Sequence, residues 1–299
     1  MKLFDALSFF FLLTAALHAS APPPTGTVVP GPKSTYQWMN YQITLEKGVV
    51  PKRPNVNGMN IEITDRLTVT QGTKILKELE KQTLSIDSLG YRQFQGDTEP
   101  RPYLVVGSYS GGAHCCSGIT TFQLMPTFKE VFAYEGDGNV NTKSFAPDAK
   151  AYVEITDPAF LYWHGGYATS AFVTIPLEKG PQGLQVCQDC PWKYMDERTI
   201  RGLAQKISED TELWKNAAEQ SSRSTWSDGF YPGEVVQVVA DLTYGNKAAL
   251  AEEFLDLAWP KDAPLKDKFK KDFRELMVKN PYWIPLAKKG YKLPFETQK

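Results

Sequence analysis

The chain has 299 residues, a formal net charge of −1, 42% hydrophobic and 22% charged residues. That is ordinary globular composition, long enough to bury a core in one large or two medium domains. The near-zero charge excludes the basic excess a nucleic-acid partner requires, and the runs Lys266-Asp267-Lys268 and Lys270-Lys271-Asp272 alternate in sign as a solvated helix face does.

Residues 1–21 read as a signal peptide. A largely apolar stretch from Ala6 to Leu17 follows Lys2, and the small residues Ala19-Ser20-Ala21 come after it. Cleavage after Ala19 or Ala21 is expected, with Ala19 favoured because Pro22 adjoins the other cut. The apolar stretch is shorter than the roughly 20 residues that cross a bilayer, and no later run is long enough. The chain is therefore expected to be secreted or periplasmic, with no transmembrane segment once the signal is removed. Residues 22–35 form a linker whose stretch Pro22 to Pro32 is rich in proline and glycine.

Residues 36–195 carry period-two patterns. Met39, Tyr41, Ile43 and Leu45 alternate with polar neighbours, and Ile61, Ile63, Leu67 and Val69 share one face of a second strand. Tyr103-Leu-Val-Val106 is a continuous apolar run, as in a strand buried on both faces. Further strands are predicted at 119–124, 130–134, 152–155, 160–163, 171–175 and 184–187. A weak internal repeat is visible. Tyr103-Leu-Val-Val and Tyr152-Val-Glu-Ile each lead to a Gly-Gly/His cluster, at Gly111-Gly112-Ala113-His114 and at His164-Gly165-Gly166. Each then leads to a strand near a proline, Pro126 or Pro176. A period of about 50 residues suits multi-stranded units such as propeller blades, and two copies point to a sandwich or blade-like pair.

The period changes to helical over residues 196–299. Ile200, Leu203, Ile207, Trp214 and Ala217 form one stripe, and Val235, Val238, Val239 and Leu242 another. Leu250 to Ala258 is stopped by Pro260, and Leu265, Phe269, Phe273 and Leu276 follow Pro264. Gly245 is expected to close the second of these helices. The fold class expected is α+β: an all-β repeat unit followed by a small all-α region.

Few residues can carry chemistry. After signal removal only His114 and His164 remain, and Gly107-Ser-Tyr-Ser-Gly111 is not a nucleophile elbow because Tyr109 holds its centre. No catalytic residue is assigned. Four cysteines remain, Cys115, Cys116, Cys187 and Cys190, and an even count in an exported chain favours disulfides. Two long cross-links would each close about 70 residues and contribute about 4 kcal/mol, while two local bonds would contribute much less. A zinc site lacks a second well-spaced ligand pair. A thiol-disulfide enzyme would place Cys187 at a helix N-terminus, not at the end of a strand-like run. Asp137, Asn139 and Asn141 space like calcium ligands, but Thr142 stands where that loop needs glycine, so a plain polar turn is expected. No cofactor and no metal are expected.

The run Ser108-Tyr-Ser-Gly-Gly-Ala-His-Cys-Cys116 after a buried strand resembles a feature of secreted bacterial proteins whose strand repeats are similar to FG-GAP or VCBS repeats. Asp157-Pro-Ala-Phe-Leu-Tyr-Trp163 followed by Tyr167-Ala-Thr-Ser170 is similar to a companion repeat, and Ala249 to Pro260 with Asn280-Pro-Tyr-Trp283 to a tail of the same group. The resemblance implies a β-repeat domain and a location in or outside the envelope, and no activity. It also implies the local pairing, Cys115 with Cys116 and Cys187 with Cys190, since that group shows the His-Cys-Cys run without a second pair. The expected function is a non-enzymatic binding or envelope-associated protein. Its ligand would be a small molecule, a glycan or a protein, met by Tyr109, His114, Tyr162, Trp163 and His164. The alternative is a periplasmic enzyme using zinc or its cysteines.

Overall fold

The computed structural model describes residues 33–49, 64–94, 97–111, 116–141, 151–181, 183–187, 190, 196–222 and 229–295. The expected signal peptide, most of the expected linker and residues 142–150, which follow the expected polar turn at Asp137, lie outside them.

Twelve strands and six helices are described, and the fold is α+β, with open sheets in the N-terminal part and helices after them. The first sheet has the order β1-β2-β3-β4, from Lys33–Trp38, Tyr41–Val49, Thr64–Gln71 and Lys74–Lys81. Tyr41, Ile43 and Leu45 point inward while Gln42, Thr44 and Glu46 point out, as the alternation predicts. The second sheet is β5-β6-β7-β8, from Thr83–Arg92, Arg101–Tyr109, Ser117–Gln123 and Lys129–Gly136. The third, ordered β12-β11-β10-β9, uses β9 Val140–Asn141, β10 Val153–Thr156, β11 Thr174–Gly180 and β12 Gly183–Val186.

The second sheet is the middle layer, and β6 shows why. Its alternate residues Leu104 and Val106 join the core against the first sheet, with Ile43, Leu67, Val69 and Phe122. Tyr103 and Val105 join the other core, with Val153, Ile155 and Ile175 of the third sheet and the helices. A strand covered on both faces reads as a continuous apolar run, which is what Tyr103 to Val106 is. Asp65 staples the first two sheets together. Its carboxylate accepts Lys47 Nζ at 2.7 Å, the Leu84 amide at 2.9 Å and the Gly48 amide at 3.1 Å.

The helices are α1 Glu197–Glu209, α2 Thr211–Ser222, α3 Gly233–Tyr244, α4 Ala248–Ala258, α5 Lys266–Lys279 and α6 Trp283–Lys288. The first predicted stripe is two helices, because Asp210 ends α1 and then caps α2 by accepting the Leu213 amide at 2.9 Å. Gly245 closes α3 but has φ −74; Asn246, at φ 57, is the left-handed residue after the helix. The predicted strand at 160–163 is instead a 3-10 turn, Pro158–Phe160, and the turn after it. Asp157 caps that turn through the Ala159 amide at 3.0 Å, and Pro158 fixes the backbone angle at its start.

Candidate functional site

The expected ligand-contacting residues fall in two places. Tyr109 ends β6 and, at 42% exposure, lines a groove of about 220 Å³ with Thr83, Ser85 and Asp87 of β5, Ser108 of β6, and Ser117 of β7. Ser85 pairs with Gly107, and Tyr109 with both Thr83 and Ser117, so these side chains share one face of the middle sheet. Glycine makes the room. A Cβ on Gly107 would lie 2.6 Å from both Asp87 Oδ2 and Ser85 Oγ, so those two side chains sit over bare backbone. Ser85 donates its hydroxyl to Asp87 Oδ1 at 2.6 Å, which fixes the carboxylate at the groove.

Ser110 and Cys116, which flank the Gly111-Gly112-Ala113-His114-Cys115 run in sequence, are joined next to Tyr109 and Ser117. The Ser110 amide donates to the Cys116 carbonyl at 3.1 Å, and the Cys116 amide donates back to Ser110 Oγ. Cys116 is disulfide-bonded, and its Sγ lies 3.5 Å from Asp137 Oδ1. His114 and Cys115 lie outside the described residues, and with them the expected Cys115–Cys116 bond. Cys187 and Cys190 are bonded to each other, with S–S 2.01 Å and Cα–Cα 5.5 Å. Cys187 is buried directly after β12, and its amide donates to the Pro176 carbonyl at 2.9 Å.

The second place is the turn after the Pro158–Phe160 segment. Tyr162 is exposed, with its ring 5.6 Å from that of Tyr167. Trp163 packs into the helical core against Phe160, Tyr231, Phe269 and Phe273. His164 is half-buried. Its Nδ1–H donates to the Gly229 carbonyl at 3.0 Å, since a carbonyl only accepts, and its Nε2 lies 3.4 Å from Asp272 Oδ2. The same carboxylate oxygen accepts the Tyr231 hydroxyl and Lys268 Nζ, each at 2.6 Å. Burial alone would raise the Asp272 carboxyl pKa, but Lys268 and Tyr231, with the nearby His164, hold it below the usual range. Tyr162 and His164 both take positive φ, 60 and 52, which costs non-glycine residues energy. The Ser170 hydroxyl, accepting the Tyr162 amide at 2.8 Å, and the bonds of His164 hold the turn in that shape. These contacts brace the turn on α5.

Sequence reasoning singled out neither Asp87 and Ser85 beside Tyr109 nor Asp272 and Tyr231 beside His164. No local pattern marks them, because each reaches its partner through strand register or helix packing. Among the described residues no three His, Cys, Asp or Glu side chains are placed to hold a metal ion.

Fold and site together define an α+β protein with a small polar cleft at one end of its middle sheet, beside an oxidised cysteine. No known protein-family model matches the chain, and no curated protein matches it in sequence.

Proposed function

We propose that the chain is an exported, non-enzymatic binding protein whose site is the groove at Tyr109, with a terminal sugar residue of a glycan as its ligand. One observation carries this reading: an exposed tyrosine shares a cleft with four small hydroxyl residues and one carboxylate held by Ser85. A sugar offers an apolar ring face for stacking on tyrosine and hydroxyls for Asp87 and the serines. The groove, at about 220 Å³, is smaller than the roughly 300–1,000 Å³ of drug-sized sites, which suits one ring.

Export rests on the N-terminal apolar segment and agrees with oxidised cysteines. Among the described residues no helix is long and apolar enough to cross a membrane. The repeat reading is supported by two antiparallel hairpins, β6–β7 and β10–β11, each carrying one of the glycine-histidine clusters in its connection. Against the thiol-disulfide alternative, Cys187 directly follows strand β12, where an activated thiol of that class opens a helix.

A glycan array followed by calorimetry on the mature chain tests the reading. Tyr109→Ala and Asp87→Asn, both at exposed positions, should each weaken binding at least tenfold without moving the melting temperature. A wild-type chain that binds no glycan, or variants that bind equally well, would remove the proposal. Intact mass of protein recovered from the native host's medium or periplasm should lack the first 19 to 21 residues.

A further inference from the structure

The opposite end of β6 carries a different feature. Arg101 opens β6 and Arg92 closes β5, and the two are direct partners in the antiparallel register. Directly paired residues project from the same face with Cβ atoms about 4.5–5.5 Å apart, and like charges placed so repel. A protein normally relieves such a pair with a carboxylate. Here, among the described residues, no ion pair reaches either guanidinium. Arg92 donates Nη1 to the Tyr91 carbonyl at 2.8 Å, and the Nε of both arginines is buried with no partner among those residues.

Asp97, which bonds the neighbouring Tyr103, has other partners. Asp97 Oδ1 takes Lys179 Nζ at 2.9 Å, while Oδ2 takes the Tyr103 hydroxyl at 2.7 Å and the Phe94 amide at 3.0 Å. Asp97 thus pairs with Lys179, and no ion pair among the described residues reaches either arginine.

The register extends the pattern inward. Buried polar atoms with no partner among the described residues also occur at Ser88 Oγ, Thr121 Oγ1 and Gln123 Oε1. Ser88 and Thr121 flank Val105 in one cross-strand row, Gly90 and Gln123 flank Tyr103 in the next, and Arg92 and Arg101 form the third. All five such atoms therefore lie on one face of one sheet, in three consecutive rows. Gly90, between Ser88 and Arg92, leaves the strand bare: a Cβ there would meet nothing within 4 Å.

We propose that Arg92 and Arg101 form an oxyanion-binding site, taking a phosphate or carboxylate group of a small ligand between their two guanidinium forks. With each Nε buried, the outer Nη edge of each guanidinium is what meets the oxygens of such a group, and a bound anion removes the repulsion that the register imposes. The site is distinct from the Tyr109 groove, since the eight steps along β6 span about 26 Å.

The test is thermal melting and calorimetry of the mature chain, with sodium phosphate or sodium acetate titrated at an ionic strength fixed with chloride. A saturable rise in melting temperature with phosphate assigns a phosphoryl ligand, and one with acetate a carboxylate; either supports the site. Arg92→Gln and Arg101→Gln should each weaken that response at least tenfold, while Tyr109→Ala leaves it intact. In chloride alone Arg101→Gln should melt at or above the wild-type temperature, because one of two opposed cations is gone. The proposal is overturned by no saturable response to either anion or by a response unchanged in both arginine variants. Melting of Arg101→Gln well below wild type in chloride also overturns it, since the guanidinium would then be a structural brace.

Discussion

Tyr244 donates its hydroxyl to Asp157 Oδ2 at 2.7 Å across 87 positions of sequence, joining helix α3 to the end of strand β10. Asn280 Nδ2 donates to the same oxygen at 2.7 Å, and Asn280 Oδ1 in turn accepts the Tyr282 amide at 2.8 Å and the Trp283 amide at 3.3 Å. One fully buried carboxylate thus ties the third sheet to α3 and to the start of α6. Burial raises the Asp157 carboxyl pKa despite three donors, and burial together with that nearby carboxylate pushes the Tyr244 hydroxyl up.

Removing one of those donors should be costly. Tyr244→Phe keeps the ring and deletes the hydroxyl, so a buried acceptor loses a partner. Urea unfolding at neutral pH should show a loss of about 1–3 kcal/mol. An unchanged midpoint would mean that the bond does not persist in solution.

The pH dependence of stability should change sign near the ordinary carboxyl pKa. At Asp65, Asp97 and Asp272 burial alone would raise the pKa. Lys47 with the Leu84 and Gly48 amides, Tyr103 with Lys179, and Lys268 with Tyr231 respectively outweigh it and depress it. A depressed folded pKa gives stability that is complete above the unfolded value of about 3.9 and lost as pH falls through the folded value. Asp157 has the opposite sign: its contribution is complete below about 3.9 and lost as pH rises through its raised folded value. Urea midpoints from about pH 2 to about pH 8 should therefore rise and then show a fall that Asp157→Asn abolishes. An Asp157→Asn profile with the same fall would contradict the assignment.

The strained turn should depend on its braces. Asp272→Asn removes the charge that pairs with Lys268 and that His164 Nε2 faces at 3.4 Å, and His164→Ala removes the bond to the Gly229 carbonyl. Both should speed amide exchange within residues 161–170 more than in the β5–β8 sheet. Equal protection of the turn in wild type and variants would show that packing of Trp163 alone suffices.

The helical stripes should prove structural. Phe254 and Phe273 are both 0% exposed within the core shared by helices and third sheet. Alanine at either should cost about 3–5 kcal/mol. Melts unchanged by either substitution would place that ring at a surface.

Particular elements show how far the sequence reached. The β2 alternation and the run at Tyr103 to Val106 were legible, because a strand's buried faces repeat every two residues along the chain itself. The stripe Leu250 to Ala258 was legible for the same reason at helical period. β4, Lys74–Lys81, was not: Lys-Ile-Leu-Lys-Glu-Leu-Glu-Lys has no clean alternation, and pairing with β3 makes it a strand. Tyr109, Cys116 and His164 could be singled out as residue types, but not their partners Ser85, Asp87 and Asp272.

By itself the sequence determined the order of strand and helix patterns, the core-facing stripes, the cysteine count and the export-like N-terminus. Each of these is a property of residues near one another in the chain. Only the tertiary structure decided that Arg92 faces Arg101, that Asp157 meets Tyr244 and Asn280, and that His164 rests on α5. Those pairs depend on strand register and helix packing, where a one-residue slip would turn every side chain of a strand to its other face.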